Sequence, residues 1–345
     1  MMTDFSRSYS CRWRVYKINR DTWTEEETVA GFMSATVYRS GERTLESGSM
    51  TVDSGAVMDQ GYYRLVLYAT QNGTTERHDI ATLYLMRGGG NIDHGSEVND
   101  VTAVSVLYPA TRRRLELGAY VPKNTNVLAY AHKLLSTACN APVGYSGDAQ
   151  LRNDYVFEPN TTFLDAAWSI LETADCCIQI TGSGVVRLAK KGKTPTVPLA
   201  DVPRMLFPGM SYDMEWASVP NRYVAVLGNQ YAEAVNDSAS SPTSTRNRGF
   251  ISDPDDGIDM EPKPMAGETL SAYAMRRLKE LSIVSREHTY KREYREDVYP
   301  YSEIEASADV FGIEGTAVVK EQSIECGRGI VVTEKATIGV NTWER

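Results

Sequence analysis

Four histidines are the first residues to test for chemistry, because an imidazole titrates near neutral pH and can move a proton or hold a metal. His78, His94, His132 and His288 lie far apart, and none has a second His or Cys at ligand spacing. His78-Asp79 and Asp93-His94 each set a base beside a carboxylate, but neighbours on a strand point to opposite faces and cannot form a dyad with each other. His132 sits beside Lys133 and reads as an exposed helix residue. Gly144-Tyr145-Ser146-Gly147 approaches a nucleophile elbow, then puts Asp148 where the last glycine is needed, so it reads as a loop. Arg87-Gly88-Gly89-Gly90-Asn91 lacks both the lysine and the following helix of a phosphate loop and reads as a strand connection. The acidic stretch from Asp253 to Glu261 misses the spacing of a calcium loop and reads as solvated. Cys11, Cys139, Cys176, Cys177 and Cys326 are too scattered for a disulfide framework and read as free thiols. No catalytic residue, cofactor or metal is expected from this inventory.

The elements are easier to read than any site. Tyr155 and Phe157 alternate with polar residues up to Pro159, which ends the strand. Thr162 with Asp165 three residues on is a helix start, and Leu164, Ala167, Trp168, Leu171 and Ala174 recur on one helical face. Cys176 to Ile180 and Val185 to Leu188 are strands around a Thr-Gly-Ser-Gly hairpin. Only one of the two adjacent cysteines can share a core with Trp168. Leu128, Ala131, Leu135 and Ala138 supply a second apolar helix after the Pro122 to Thr125 stop. Burying Leu164, Trp168 and Leu171 contributes roughly 1.5–3 kcal/mol each, too little to order the segment alone, so the two helices and the hairpin form one α+β region over 118–200.

Around it the pattern is β. Strands are expected at Arg12 to Ile18, Ser49 to Val52, Tyr62 to Tyr68 and Ile80 to Met86, then at Arg222 to Leu227, Thr316 to Glu325 and Ile330 to Val340. The segment 232–264, rich in Ser, Asp, Gly and Pro, reads as a long loop, and Leu270, Ala274, Leu278 and Leu281 mark a helix over about 270–284. The expected organisation is an N-terminal β-barrel domain over 1–117, the α+β insertion over 118–200 and a C-terminal β domain over 201–345. The fold class is therefore mainly β, with two barrels and a small α+β middle region. A net charge of −9, from 36 Lys and Arg against 45 Asp and Glu, argues against a protein that grips nucleic acid, and Arg112-Arg113-Arg114 reads as a solvated or interface turn. No apolar run of about 18 residues and no leader are visible, so neither a membrane span nor a signal peptide is expected, and folding is expected in a cytoplasm.

Several short motifs carry a resemblance. The turn Arg20-Asp21-Thr22-Trp23, the strands Tyr63-Arg64-Leu65 and Ile80-Ala81-Thr82-Leu83, the Phe157 to Leu164 opening with Asn160 in place of a usual glycine, and the linker Ser240 to Ser244 resemble tailed-phage baseplate hub (tail-tip) proteins. Those are similar to the hubs of contractile tails and type VI secretion spikes, and the likeness extends over about residues 10–340. It implies a non-enzymatic homotrimer in the virion, assembled in the host cytoplasm. Two tube-type barrels per chain would let three copies adapt a sixfold tail tube to a threefold tip, with DNA passing through the bore and part of the negative charge lining it. The implied partners are tail-tube and distal-tail proteins and a tip or fibre protein, met through barrel edges and the loop 232–264, with Arg246, Arg248 and Phe250 as interface residues. Many relatives carry a C-terminal peptidase or fibre, and none is expected here because the chain ends at Arg345. The competing readings are a receptor- or carbohydrate-binding β protein and a cell-wall hydrolase using Asp93 or His94.

Overall fold

A computed structural model describes residues 3–343 except 6, 42–45, 54–57, 94–95, 152, 192–196, 199–205, 215, 261, 263, 265–267 and 309–312. Seven strands fill the first third: β1 (Ser10–Ile18), β2 (Glu25–Val29), β3 (Phe32–Ser40), β4 (Glu46–Asp53), β5 (Gly61–Gln71), β6 (Thr74–Asp93) and β7 (Ser96–Ser105). They pair in the order β2-β1-β5-β6-β7-β4-β3. Asn72 and Gly73, both at positive φ, make the two-residue turn that sets Gln71 opposite Thr74 and fixes the long β5–β6 ladder. Register shifts after Leu65 on this ladder and after Leu85 on the β6–β7 ladder act as bulges that bend the sheet. The stretch Arg87 to Asn91, expected to be a connection, belongs to β6 and pairs with β7. Glycine lowers β propensity, but a partner strand on the ladder overrides it.

The chain then leaves the sheet and returns to it near its end. β18 (Glu303–Ala308) pairs with β19 (Ile313–Cys326), and β19 runs antiparallel to β3 from Glu321↔Ser40 to Cys326↔Ala35. Strands assigned from sequence to separate N- and C-terminal domains thus share one ladder. β1, at the other side of the order, meets the turn after β19: the Trp13 indole donates to Gly327 O at 2.7 Å, and the Tyr9 hydroxyl accepts from Ile330 N at 3.2 Å. One face of the sheet buries Val15, Val37, Val52, Leu65, Leu67, Leu83, Val101, Ile324 and Val332 in one cluster.

After β7 come α1 (Tyr108–Arg112), β8 (Tyr120–Val121), α2 (Val127–Ala138), β9 (Val143–Tyr145), β10 (Tyr155–Val156), α3 (Phe163–Glu172), β11 (Cys176–Ile180) and β12 (Val186–Lys190). Asn126 caps α2, its side chain accepting from Leu128 N and Ala129 N, and Thr162 caps α3 by accepting from Asp165 N. Both apolar faces pack with β11 and β12, and Cys176, rather than Cys177, joins the cluster that holds Trp168. That cluster also takes Ile18 and Tyr62 from the barrel, so the region 118–200 shares a core with its neighbour instead of standing apart. β5 shows why: Tyr62 through Leu67 are all buried, with Tyr63, Leu65 and Leu67 facing the barrel core and Tyr62 facing the helices.

The hairpin tip between β11 and β12 is a clasp as well as a turn. Gly182 O accepts from Thr82 Oγ1 at 2.9 Å, and Ser183 O accepts from Arg64 Nη2 at 2.9 Å and Trp23 Nε1 at 3.0 Å. A Cβ added to Gly182 would lie 1.7 Å from Asp79 O. The two-residue β13 (Val197–Pro198) and the longer β14 (Leu206–Met214) follow.

By contacts the chain forms two compact units, residues 1–210 with 290–336, and residues 211–289 with 337–345. The second contains the hairpin β15 (Arg222–Leu227) and β16 (Gln230–Val235), the short α4 (Thr245–Arg248) and α5 (Leu270–Leu281). Tyr223, Ala225, Ala232 and Ala234 on one face of the hairpin pack on Tyr273, Ala274 and Leu278 of α5. The last strands are β17 (Ile283–Glu293) and β20 (Ile330–Asn341).

Candidate interaction surface

The segment 232–264 does not behave as its composition suggests. Its first four residues complete β16, and the turns beyond that strand are tied down by buried amides and hydroxyls. Asn221 Nδ2 donates to Phe250 O at 3.0 Å, and its Oδ1 accepts from Ser252 N at 2.8 Å. Asn236 Nδ2 donates to Ser241 Oγ at 2.9 Å, and Thr243 and Thr342 hydroxyls meet at 3.1 Å. Asn221, Asn236, Ser241, Thr243 and Ser244 are fully buried, so small polar side chains here replace an apolar core with a satisfied hydrogen-bond network. Sequence reading misses this because the same residues mark solvated loops elsewhere.

The three residues expected at an interface are held differently by this scaffold. Arg246 projects into solvent from α4. Arg248 turns inward, donating to Val219 O at 2.6 Å and to Trp216 O, and lies 5.8 Å from the Phe250 ring; burial lowers its pKa. It positions the loop. Phe250 is 59% exposed, with Ile251 exposed beside it. Leu227, Tyr231, Ile258 and Met260 are also exposed in this unit, which concentrates apolar surface of a kind that marks protein contacts.

Asp259 anchors the far end of the segment. Its backbone pairs with β15, accepting from Val226 N at 2.9 Å and donating to Val224 O at 3.0 Å. Its carboxylate accepts from the hydroxyls of Tyr223 and Tyr273, both at 2.7 Å, and burial followed by this carboxylate raises the Tyr223 pKa. These residues line a cleft of about 680 Å³ with Asp256, Ile258, Met260, Arg276 and Arg277. Arg276 is engaged by Glu268 and Glu280, and Arg277 by Glu280, so the cleft's cations are matched within the unit.

The residues with catalytic potential fall elsewhere. In the first unit His78 Nδ1 is 3.1 Å from Glu296 Oε2 and Nε2 is 3.1 Å from Thr3 Oγ1, while Asp79 turns away to Arg77. This is the opposite-face arrangement expected of strand neighbours. A cavity of about 200 Å³ beside His78 is covered by Thr3, Asp4 and Phe5, and burial together with Asp4 pushes Glu293 in its wall up to about 7. His132 packs 5.3 Å from the Tyr145 ring, and His94 lies outside the described residues. Burial raises the Cys139 and Cys177 thiols to about 12, which makes them poor nucleophiles. Among the described residues no group of three or more His, Cys, Asp or Glu is placed to hold a metal.

No family model matches the chain, and no curated protein matches it by sequence. Solved structures do. A tail protein from Neisseria meningitidis aligns with a TM-score of 0.62 at 12% identity, over 98% of each chain. The 43 kDa tail protein of prophage MuSo2 from Shewanella oneidensis aligns at 0.59 and 9% identity, over 97% of this chain and 99% of its own. The chain has the fold of phage tail proteins. Prophage tail protein gp18 from Listeria monocytogenes shares the tail-protein fold at a TM-score of 0.50 and 11% identity, over 94% of both chains. The likeness runs end to end, so barrel, α+β region and second unit all belong to the tail-protein fold.

Proposed function

We propose that this chain is a structural subunit of a phage tail, placed at the baseplate hub and acting without catalysis. The observation that carries the reading is the end-to-end likeness of fold to two tail proteins, each covered over nearly its whole length. Supporting it, the surface of the second unit is rich in exposed apolar side chains mounted on a hydrogen-bonded scaffold, as an assembly protein requires. In this reading three copies form a ring, and two β-bearing units per chain let that ring meet a sixfold tube above and a threefold tip below. Tail-tube and distal-tail proteins, with a tip or fibre protein, are the partners, and Arg246 and Phe250 contribute to the contacts. DNA passes through the bore without being gripped, consistent with a net charge of −9.

Imaging of particles carrying a label on this chain tests the reading. The label is expected at the tail tip, in three copies round an open channel. A label on the capsid, or particles that lack the chain and remain complete and infectious, would refute the hub assignment.

A further inference from the structure

Two exposed surfaces of this chain carry opposite charge beside apolar side chains. The first lies on the strand pair β8–β10 and its continuation. Tyr120 and Val156 are directly opposed, 62% and 71% exposed, and Leu117 is 85% exposed. The same pair of segments continues to Arg114, bridged to Thr162. Arg112, Arg113 and Arg114 are all exposed; they donate to the Tyr108 hydroxyl, Thr137 O and Asn160 O, and none has a carboxylate partner among the described residues. Glu116 and Glu158 are the acids of this stretch, so three cations face two carboxylates.

The second surface is the loop before Asp259. Asp255 and Asp256 are exposed with no cationic partner among the described residues, and Ile258 and Met260 are 57% and 66% exposed. This loop is firmly mounted: Arg222 holds Asp253 through two hydrogen bonds of 2.7 and 2.6 Å, Gly257 N donates to Pro254 O, and Asp259 pairs with β15. It therefore presents acid and apolar groups with little ordering left to lose on association.

We propose that the loop Asp255 to Met260 of one copy docks on the Arg112–Arg114, Leu117, Tyr120 and Val156 surface of the next copy. The inference rests on the trimeric reading above and names the surfaces that make it. Opposite charges favour the contact between unlike patches, and like charges disfavour pairing of either patch with itself. Each copy carries one patch of each kind, so a head-to-tail contact passes from copy to copy and closes into a ring where the rotation between neighbours closes. Ile258 and Met260 supply the apolar counterpart to Leu117, Tyr120 and Val156.

The test is charge reversal, read by sedimentation velocity on the full chain at moderate ionic strength. Arg113 is left alone because it stacks at 4.8 Å on the Phe163 ring. The Arg112→Glu, Arg114→Glu variant and the Asp255→Lys, Asp256→Lys variant should each weaken self-association at least about tenfold. Mixed with each other, they should recover it. If either reversal unfolds the chain, Asp255→Ala with Asp256→Ala, confined to an exposed loop, should still show the loss. Reversals that leave the ring intact overturn these surfaces while the trimeric hub stands. A wild-type chain that stays monomeric at every concentration overturns both.

Discussion

Glu334 in β20 offers the sharpest test of how the barrel is held together. Its carboxylate accepts from Tyr290 OH at 2.6 Å, from Arg292 Nε at 3.0 Å and from Gln322 Nε2 at 2.9 Å, and Arg292 adds a second donor through Nη2. Arg292 is 1% exposed and Glu334 fully buried. Glu334→Ala removes the acceptor of four hydrogen bonds and leaves a guanidinium without its counter-charge away from water. Breaking a buried pair on one side costs about 3–5 kcal/mol, whereas replacing both partners with apolar residues is often neutral. At about 2–4 °C per kcal/mol for a unit of this size, Glu334→Ala should lower Tm by roughly 6–20 °C. The double variant Arg292→Met, Glu334→Leu should recover most of that loss. Calorimetry on the three proteins decides it: a fall of only a degree or two for Glu334→Ala, or a double variant worse than the single, would show that water reaches this pair and that it is not sealed inside the barrel.

Further outcomes are expected from other parts of the fold. Thr162→Ala should cost about 1 kcal/mol, measured by urea titration, because it removes the oxygen that caps α3 at Asp165 N. Gly182→Ala should destabilise by about 3 kcal/mol or more, since its methyl would meet the Asp79 carbonyl and neither backbone can give way. The N-terminal cover over His78 should loosen with rising pH. Glu293, normally near 4.5, is pushed up to about 7 by burial and by Asp4, so the folded state keeps a proton that the unfolded chain has lost between those values. Stability therefore declines as pH rises through that window. Tryptic cleavage after Arg7 should quicken across it, and Glu293→Gln should flatten the response.

How much of this was legible in the sequence depended on whether the signal was local. The cap at Thr162, the apolar faces of α2 and α3 and the β11–β12 hairpin each sit within a dozen residues and follow from periodicity and turn chemistry, while the α2 cap falls on Asn126, one residue past the expected Pro122 to Thr125 stop. The pairing of β3 with β19 joins residues nearly 300 apart, and nothing in either strand names its partner. That is why strands of one sheet read as belonging to two domains. The network round Asn221 and Asn236 was hidden for another reason: burial turns Ser, Thr and Asn into core residues, while composition alone marks them as loop. Arg248 likewise reads as surface charge, and its carbonyl partners, Val219 and Trp216, come from a segment about 30 residues earlier.

Two glycine turns that look interchangeable on paper set opposite limits on engineering this protein. At Asn72-Gly73 nothing lies within 4 Å of a side-chain atom added to the glycine, so a peptide tag or fluorophore loop spliced there should be carried without disturbing the fold. The Gly-Ser-Gly tip at 182–184 has the composition usually chosen for such grafts, yet it is gripped by Thr82, Arg64 and Trp23. An epitope placed there would prise the helices away from β5 and β6, and the resulting misfolding would be mistaken for a lost interaction.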